Sequence, residues 1–248
     1  MNEFNTGPLT LEETMKVFSL LENPPEAAMV RKALKFYEIP TDLEFKWGHN
    51  KDMMTIMRHF DNPQQPWELA QMLKIVAGKR SLLEIGSSFG GTLRRMASVM
   101  PKGSLIVSVD LPCDETPKAL NPLDTLKDVC RKIGLMGGNV ELFVGDSHDE
   151  ETVAAVRKYT PFEFGFIDGD HSYAGVKADW ENYGPMCGIV GFHDIAGTLG
   201  CADLWRELKT SGQYVSEEFI HPESTLGIGI IYRNGSRPPI KEKQPFLS

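Results

Sequence analysis

Two short segments hold most of the side chains capable of acid–base or metal chemistry. FIDGDHSY contributes Asp168, Asp170 and His171, and GFHDI contributes His193 and Asp194. Several carboxylates buried together repel one another unless protons or a cation compensate. If the segments meet, a divalent metal is the economical explanation for acids and imidazoles in one place. A third segment, LEIGSSFGGT from Leu83 to Thr92, has glycines suited to a tight turn and a close approach to a ligand. If a helix follows it, the helix N-terminus offers unpaired N–H groups and a positive dipole end, able to hold a carboxylate or phosphate.

These segments need rigid elements to bring them together. From residue 81 onward, short β-rich runs alternate with helical runs, the signature of a parallel sheet with crossover helices. Strands are expected at 81–85, 104–109, 139–144, 162–167, 188–193, 213–220 and 226–233, with helices near 91–100, 122–134, 149–159, 172–183 and 200–210. The gap between the last two strands is too short for a crossover, so they should pair as an antiparallel hairpin. Upstream, capping and proline signals predict four helices, the last being WELAQMLKIVAG with Pro66 in its first turn. On the helix after His171, Lys177, Asp179 and Glu181 read as a solvated face, and Trp180 and Tyr183 as core.

In open α/β sheets, ligands bind at the carboxyl ends of the strands. Each of the three segments follows such an end. So do Asp110, suited to a ribose hydroxyl, and Gly145-Asp146-Ser147-His148 after the third strand. Asp146 or Ser147 could meet an adenine amino group and His148 could cover the ring, although Asp or Ser capping the next helix fits nearly as well. The glycine loop has Ser88 where a dinucleotide-binding loop has its middle glycine. That substitution and the terminal hairpin argue against a nicotinamide-dependent oxidoreductase.

The pattern ExGxxxGG resembles motif I of class I methyltransferases, whose loop holds the methionine part of S-adenosylmethionine (SAM). GSSFGGT, FIDGDHSYAGVKADWENYGPM and GFHDI, spread over residues 60–233, are similar to the family containing macrocin O-methyltransferase and the cephalosporin-hydroxylase-like proteins, and more distantly to catechol O-methyltransferase. The resemblance implies a Rossmann-like three-layer α/β/α fold. Its seven-stranded, mostly parallel sheet has order 3-2-1-4-5-7-6, with an antiparallel last strand. It implies a helical cap at 1–65, a SAM-binding domain at 66–235 and a tail at 236–248. The cofactor set is then Glu84, Gly86, Ser87, Ser88, Gly90, Thr92, Asp110, Asp146, Ser147, His148 and Asp168, with Glu84 suited to the ammonium.

In metal-dependent relatives, acids ending strands four and five ligate magnesium, which matches Asp168 and Asp194, and a base three residues after the first acid matches His171. The sequence departs from the pattern in two places. Ile195 stands where catechol-type enzymes have Asn, and His193 stands where other relatives carry an acid, a donor better suited to a transition metal than to magnesium. The implied activity is O-methylation of a small-molecule hydroxyl, on a sugar or other natural product. A SAM-binding accessory protein without turnover is the rival.

The bulk properties agree. A net charge of −8 over 248 residues disfavours nucleic-acid binding. No apolar run approaches membrane-span length, so no membrane partner is expected. Cys113, Cys130, Cys187 and Cys201 form no CxxC pair and read as thiols of a reducing cytoplasm. Homo-oligomerisation stays open.

Overall fold

The computed structural model describes residues 64–111, 122–197, 199–222 and 224–233. The three helices expected before residue 63, the expected cap up to residue 63, the expected tail and Cys113 lie outside the described residues.

Helices and strands alternate in the order α1 (Pro66–Val76), β1 (Ser81–Ile85), α2 (Gly91–Ser98), β2 (Leu105–Asp110), α3 (Pro122–Leu135), β3 (Asn139–Val144), α4 (Glu150–Arg157), β4 (Phe162–Ile167), α5 (Tyr173–Tyr183), β5 (Cys187–His193), α6 (Gly200–Thr210), β6 (Val215–Phe219) and β7 (Ile228–Tyr232). The sheet order is β3-β2-β1-β4-β5-β7-β6. Strands β1 to β5 pair in parallel, and β7 runs antiparallel to both β5 and β6. This is the Rossmann-like order expected from the sequence, with the hairpin in its place.

The central strands are apolar on both faces because helices cover both. Alternation along each strand divides the core in two. Leu82, Ile106, Phe164 and Phe166 face α1, α2 and α3, where they meet Leu69, Met72, Leu93, Met96, Leu126 and Val129. Leu83, Ile85, Val107 and Val109 face α4, α5 and α6, where they meet Val153, Val156, Val176, Tyr183, Leu204 and Trp205.

Helix α1 starts with Pro66 after Gln65, whose side chain accepts from the Glu68 N–H. Glu68 is wholly buried, and its carboxylate accepts the backbone N–H groups of His221, at 2.8 Å, and Gly227, at 3.0 Å. The start of α1 is thereby tied to the β6–β7 connection beside the end of β5. Trp67 packs edge-on against Phe219 and His221, so it fastens α1 to the same hairpin. Among the described residues no helix is long and apolar enough to cross a membrane.

Candidate active site

The loop after β1 is held from three sides. Gly86 takes φ +83°, and a Cβ there would lie 2.2 Å from the Asp168 carbonyl oxygen. The glycine is needed because the end of β4 presses on the loop, a backbone neighbour that the motif alone does not reveal. Gly90 takes φ +79° and sits against Leu126 and Val129 of α3, which lets α2 pack close to its neighbour. Gly90 is also the α2 N-cap and supplies no side-chain cap to the first turn. Thr92 is buried in that turn.

Glu84 is completely enclosed. Ser87 Oγ donates to its Oε2 at 2.5 Å and lies 2.7 Å from Ser108 Oγ. Oε1 has no hydrogen-bond partner among the described residues. Burial pushes the carboxyl pKa well up, against the hydrogen bond from Ser87. Ser88 adopts φ +50°, unusual for a residue other than glycine, and its N–H donates to Asp110 Oδ2 at 2.5 Å. Asp110 therefore stands at the end of β2 against the glycine loop, with a pKa raised by burial.

One strand over, the Gly145 N–H donates to the Asp110 carbonyl at 2.9 Å. Asp146 turns back to accept the His148 N–H at 2.8 Å. The His148 ring is one-third exposed, and its Nε2 lies 3.3 Å from Asp179 Oδ1. Ser147 is held through its carbonyl by the Tyr183 hydroxyl at 2.8 Å.

The two acid–histidine segments meet. His193 Nδ1 lies 3.0 Å from Asp168 Oδ1 and 3.3 Å from Asp194 Oδ1. His171 reaches the same pair, with Nδ1 at 3.1 Å from Asp194 Oδ2 and Nε2 at 3.5 Å from Asp168 Oδ1. His193 and Asp194 are buried, whereas the His171 side chain is 42% exposed and open to a ligand. Asp194 takes φ +58°, a left-handed conformation that Asp tolerates better than most residues. It turns the chain out of β5 and brings the carboxylate back over the strand end.

Charge is balanced within this cluster. Burial alone would raise the Asp168 pKa, but His193 and His171 outweigh it and bring it down to about 2. Burial likewise opposes charge on His193, yet Asp168 and Asp194 hold its pKa up at about 9. The hydrogen bond to Asp168 raises that of His171.

One donor atom each from Asp168, His193 and Asp194 lies within 4.8 Å of the others. Adjacent ligands about 2.1 Å from a six-coordinate ion are about 3 Å apart. The 3.0 and 3.3 Å separations from His193 Nδ1 agree with that spacing, and the mixed nitrogen and oxygen donors fit a divalent cation.

Some expectations from the sequence fail. Asp170 does not join the cluster; its Oδ1 accepts the Ser172 N–H at 2.8 Å and helps start α5. Asp179 is not on a solvated face but fully buried. It shares a stripe with Val176 and Tyr183, a spacing that could have revealed it. Gln64 gave no sequence signal, yet it is buried and its Nε2 donates to Asp168 Oδ2 at 2.7 Å.

Residues 83–195 match the family model for a methyltransferase domain. This stretch, from β1 to the turn after β5, is thus similar in sequence to methyltransferase domains. No curated protein matches the chain by sequence. Among solved structures, the domain is similar to a methyltransferase from Geobacter sulfurreducens, with 17% identity and a TM-score of 0.50 over 73% of this chain and 85% of that one. It is also similar to the O-methyltransferase TomG from Streptomyces achromogenes, involved in tomaymycin synthesis and solved with SAM, with 13% identity and a TM-score of 0.53 over 76% and 92% of the two chains. A precorrin-6y C5,15-methyltransferase from Geobacter metallireducens shares 13% identity at a TM-score of 0.50, over 76% of this chain and 94% of that one. At these identities the likeness to the methyltransferase domain is one of fold.

Proposed function

We propose that the protein is an O-methyltransferase that moves the SAM methyl group to a hydroxyl of a small molecule, a sugar or other natural product, with His171 as base and a divalent cation at Asp168, His193 and Asp194. The observation that carries this reading is the convergence of His171 and those three residues at the ends of β4 and β5. The similarity of these segments to the macrocin O-methyltransferase family supports it.

Several features fit SAM. Glu84 Oε1 is a buried acceptor with no protein donor among the described residues, suited to an ammonium. The uncapped start of α2 suits the carboxylate, and Asp110 the ribose. Bound SAM supplies an electrophilic methyl group for in-line attack by the acceptor oxygen. Asp168, His193 and Asp194 would hold a divalent cation, which would act as a Lewis acid toward an acceptor hydroxyl.

His171 does the proton chemistry. Its ring is half-exposed and fixed between Asp168 and Asp194, so it can reach an acceptor without losing its orientation. Once neutral, it accepts the hydroxyl proton, and the two carboxylates stabilise the imidazolium that forms. Asp168 and Asp194 therefore serve both the base and the cation.

The test is methyl transfer from labelled SAM to a panel of hydroxylated sugars and natural products, with and without EDTA. Transfer that chelation abolishes and one divalent ion restores supports the full reading. Transfer indifferent to chelation removes the metal. SAM binding with no transfer to any acceptor favours a binding protein.

A further inference from the structure

Asp179 is a buried carboxylate with no part in the chemistry above. It projects from α5 into the space between the loops that follow β3 and β4. A Cβ on Gly169 would meet its Oδ2 at 3.3 Å, so the β4 loop closes directly over it. Neither of its oxygens is in an aligned hydrogen bond, and the groups facing it are the Ser147 hydroxyl and His148 Nε2, the latter at 3.3 Å. Asp170 and Asp146 lie close enough to push its pKa up further, after burial as the main cause. A carboxylate in such surroundings costs stability unless it holds something in place.

What it holds is the ring of His148. The Gly145 N–H donates to the carbonyl of Asp110, the proposed ribose acceptor, so the loop carrying Asp146 and His148 is the next one along the rim from that residue. The His148 ring is open to solvent on one side and backed by Asp179 on the other. A carboxylate 3.3 Å from Nε2 favours the tautomer that carries the proton on that nitrogen.

We propose that Asp179 is a positioning residue for the nucleoside subsite, fixing the plane and protonated nitrogen of His148 so that the ring forms one wall of the adenine pocket. The proposal rests on the SAM reading. It also makes α5 a connector, with His171 just before its first turn and the adenine wall braced from its last two.

The experiment measures SAM and S-adenosylhomocysteine affinity by calorimetry for the wild type, Asp179→Asn, His148→Ala and the double variant, with nitrogen NMR of the His148 ring in the unliganded protein. Asp179→Asn should raise Kd about five- to tenfold. It should add nothing further in the His148→Ala background, because Asp179 acts through that ring. The wild-type ring should be protonated at Nε2, and the Asn variant should shift toward mixed tautomers. An unchanged Kd, an additive double variant or an unchanged tautomer overturns the proposal, and a purely structural Asp179 would lower thermal stability without these signatures. A wild type that binds no SAM overturns the cofactor reading first, before any variant is made.

Discussion

Gln64 and Asp168 lie 104 positions apart in sequence, yet the Gln64 amide donates to Asp168 Oδ2 at 2.7 Å while Oδ1 faces His193 and His171. One oxygen is thus reserved for positioning and the other for chemistry. Hydrogen-bond partners of metal ligands commonly matter about 10- to 100-fold in affinity. Gln64→Leu should weaken manganese binding about tenfold, read by electron paramagnetic resonance titration. An unchanged affinity would make the contact incidental.

His171→Ala should reduce methyl transfer by about 10²- to 10⁴-fold, the range for loss of a general base. SAM affinity should stay close to wild type, because His171 faces the Asp168–Asp194 pair rather than the glycine loop. Full activity on an identified acceptor would remove His171 from the mechanism.

The acid–histidine cluster would make binding of the proposed cation pH-dependent in a defined direction. His193 has a folded pKa of about 9 against an unfolded value near ~6.5. In the metal-free protein its protonated form contributes stability that is fully present below ~6.5 and lost as pH rises through about 9. A metal ion needs the neutral imidazole, so metal affinity should rise across the same window with release of about one proton. Calorimetry in buffers of different ionisation enthalpy reads that proton directly. Affinity flat between pH 6.5 and 9 would argue against His193 as a ligand.

The identity of the cation should follow the same residue. Imidazole favours manganese, cobalt or zinc over magnesium. His193→Asp should move the preference toward magnesium, measured as the ratio of dissociation constants. No change in that ratio would place the ion elsewhere.

Two glycines separate backbone strain from collision. Gly78 and Gly86 have similar angles, φ +78° and +83°, but a Cβ at Gly78 meets nothing within 4 Å, whereas one at Gly86 strikes the Asp168 carbonyl. Gly78→Ala should cost about 1 kcal/mol from strain alone. Gly86→Ala should cost several times more and weaken SAM binding as well. Equal losses in thermal denaturation would mean that the β4 end yields easily.

Much of this was legible in the sequence because each element has a strong local signature. The parallel strands read as continuous apolar runs, and the short gap before Leu226 forced the hairpin. Asp168 and Asp194 were legible because strand ends in this topology share one rim. Asp179 was misread because its charge outweighed the stripe it shares with Val176 and Tyr183. Asp170 was misplaced because a carboxylate two residues before Ser172 can cap a helix as readily as bind a cation. Gln64 carries no pattern at all, since its partner is set by the tie between Glu68 and the hairpin.

The position of β7 has a consequence for assembly during synthesis. Because β7 lies between β5 and β6, the outer edge of β5 stays unpaired until residue 232 has left the ribosome. His193 and Asp194, at the end of that strand, are translated early but enclosed late. A nascent chain stalled after α6 would expose an open strand edge carrying two of the three residues of the proposed cation site, a form prone to wrong pairing with other chains.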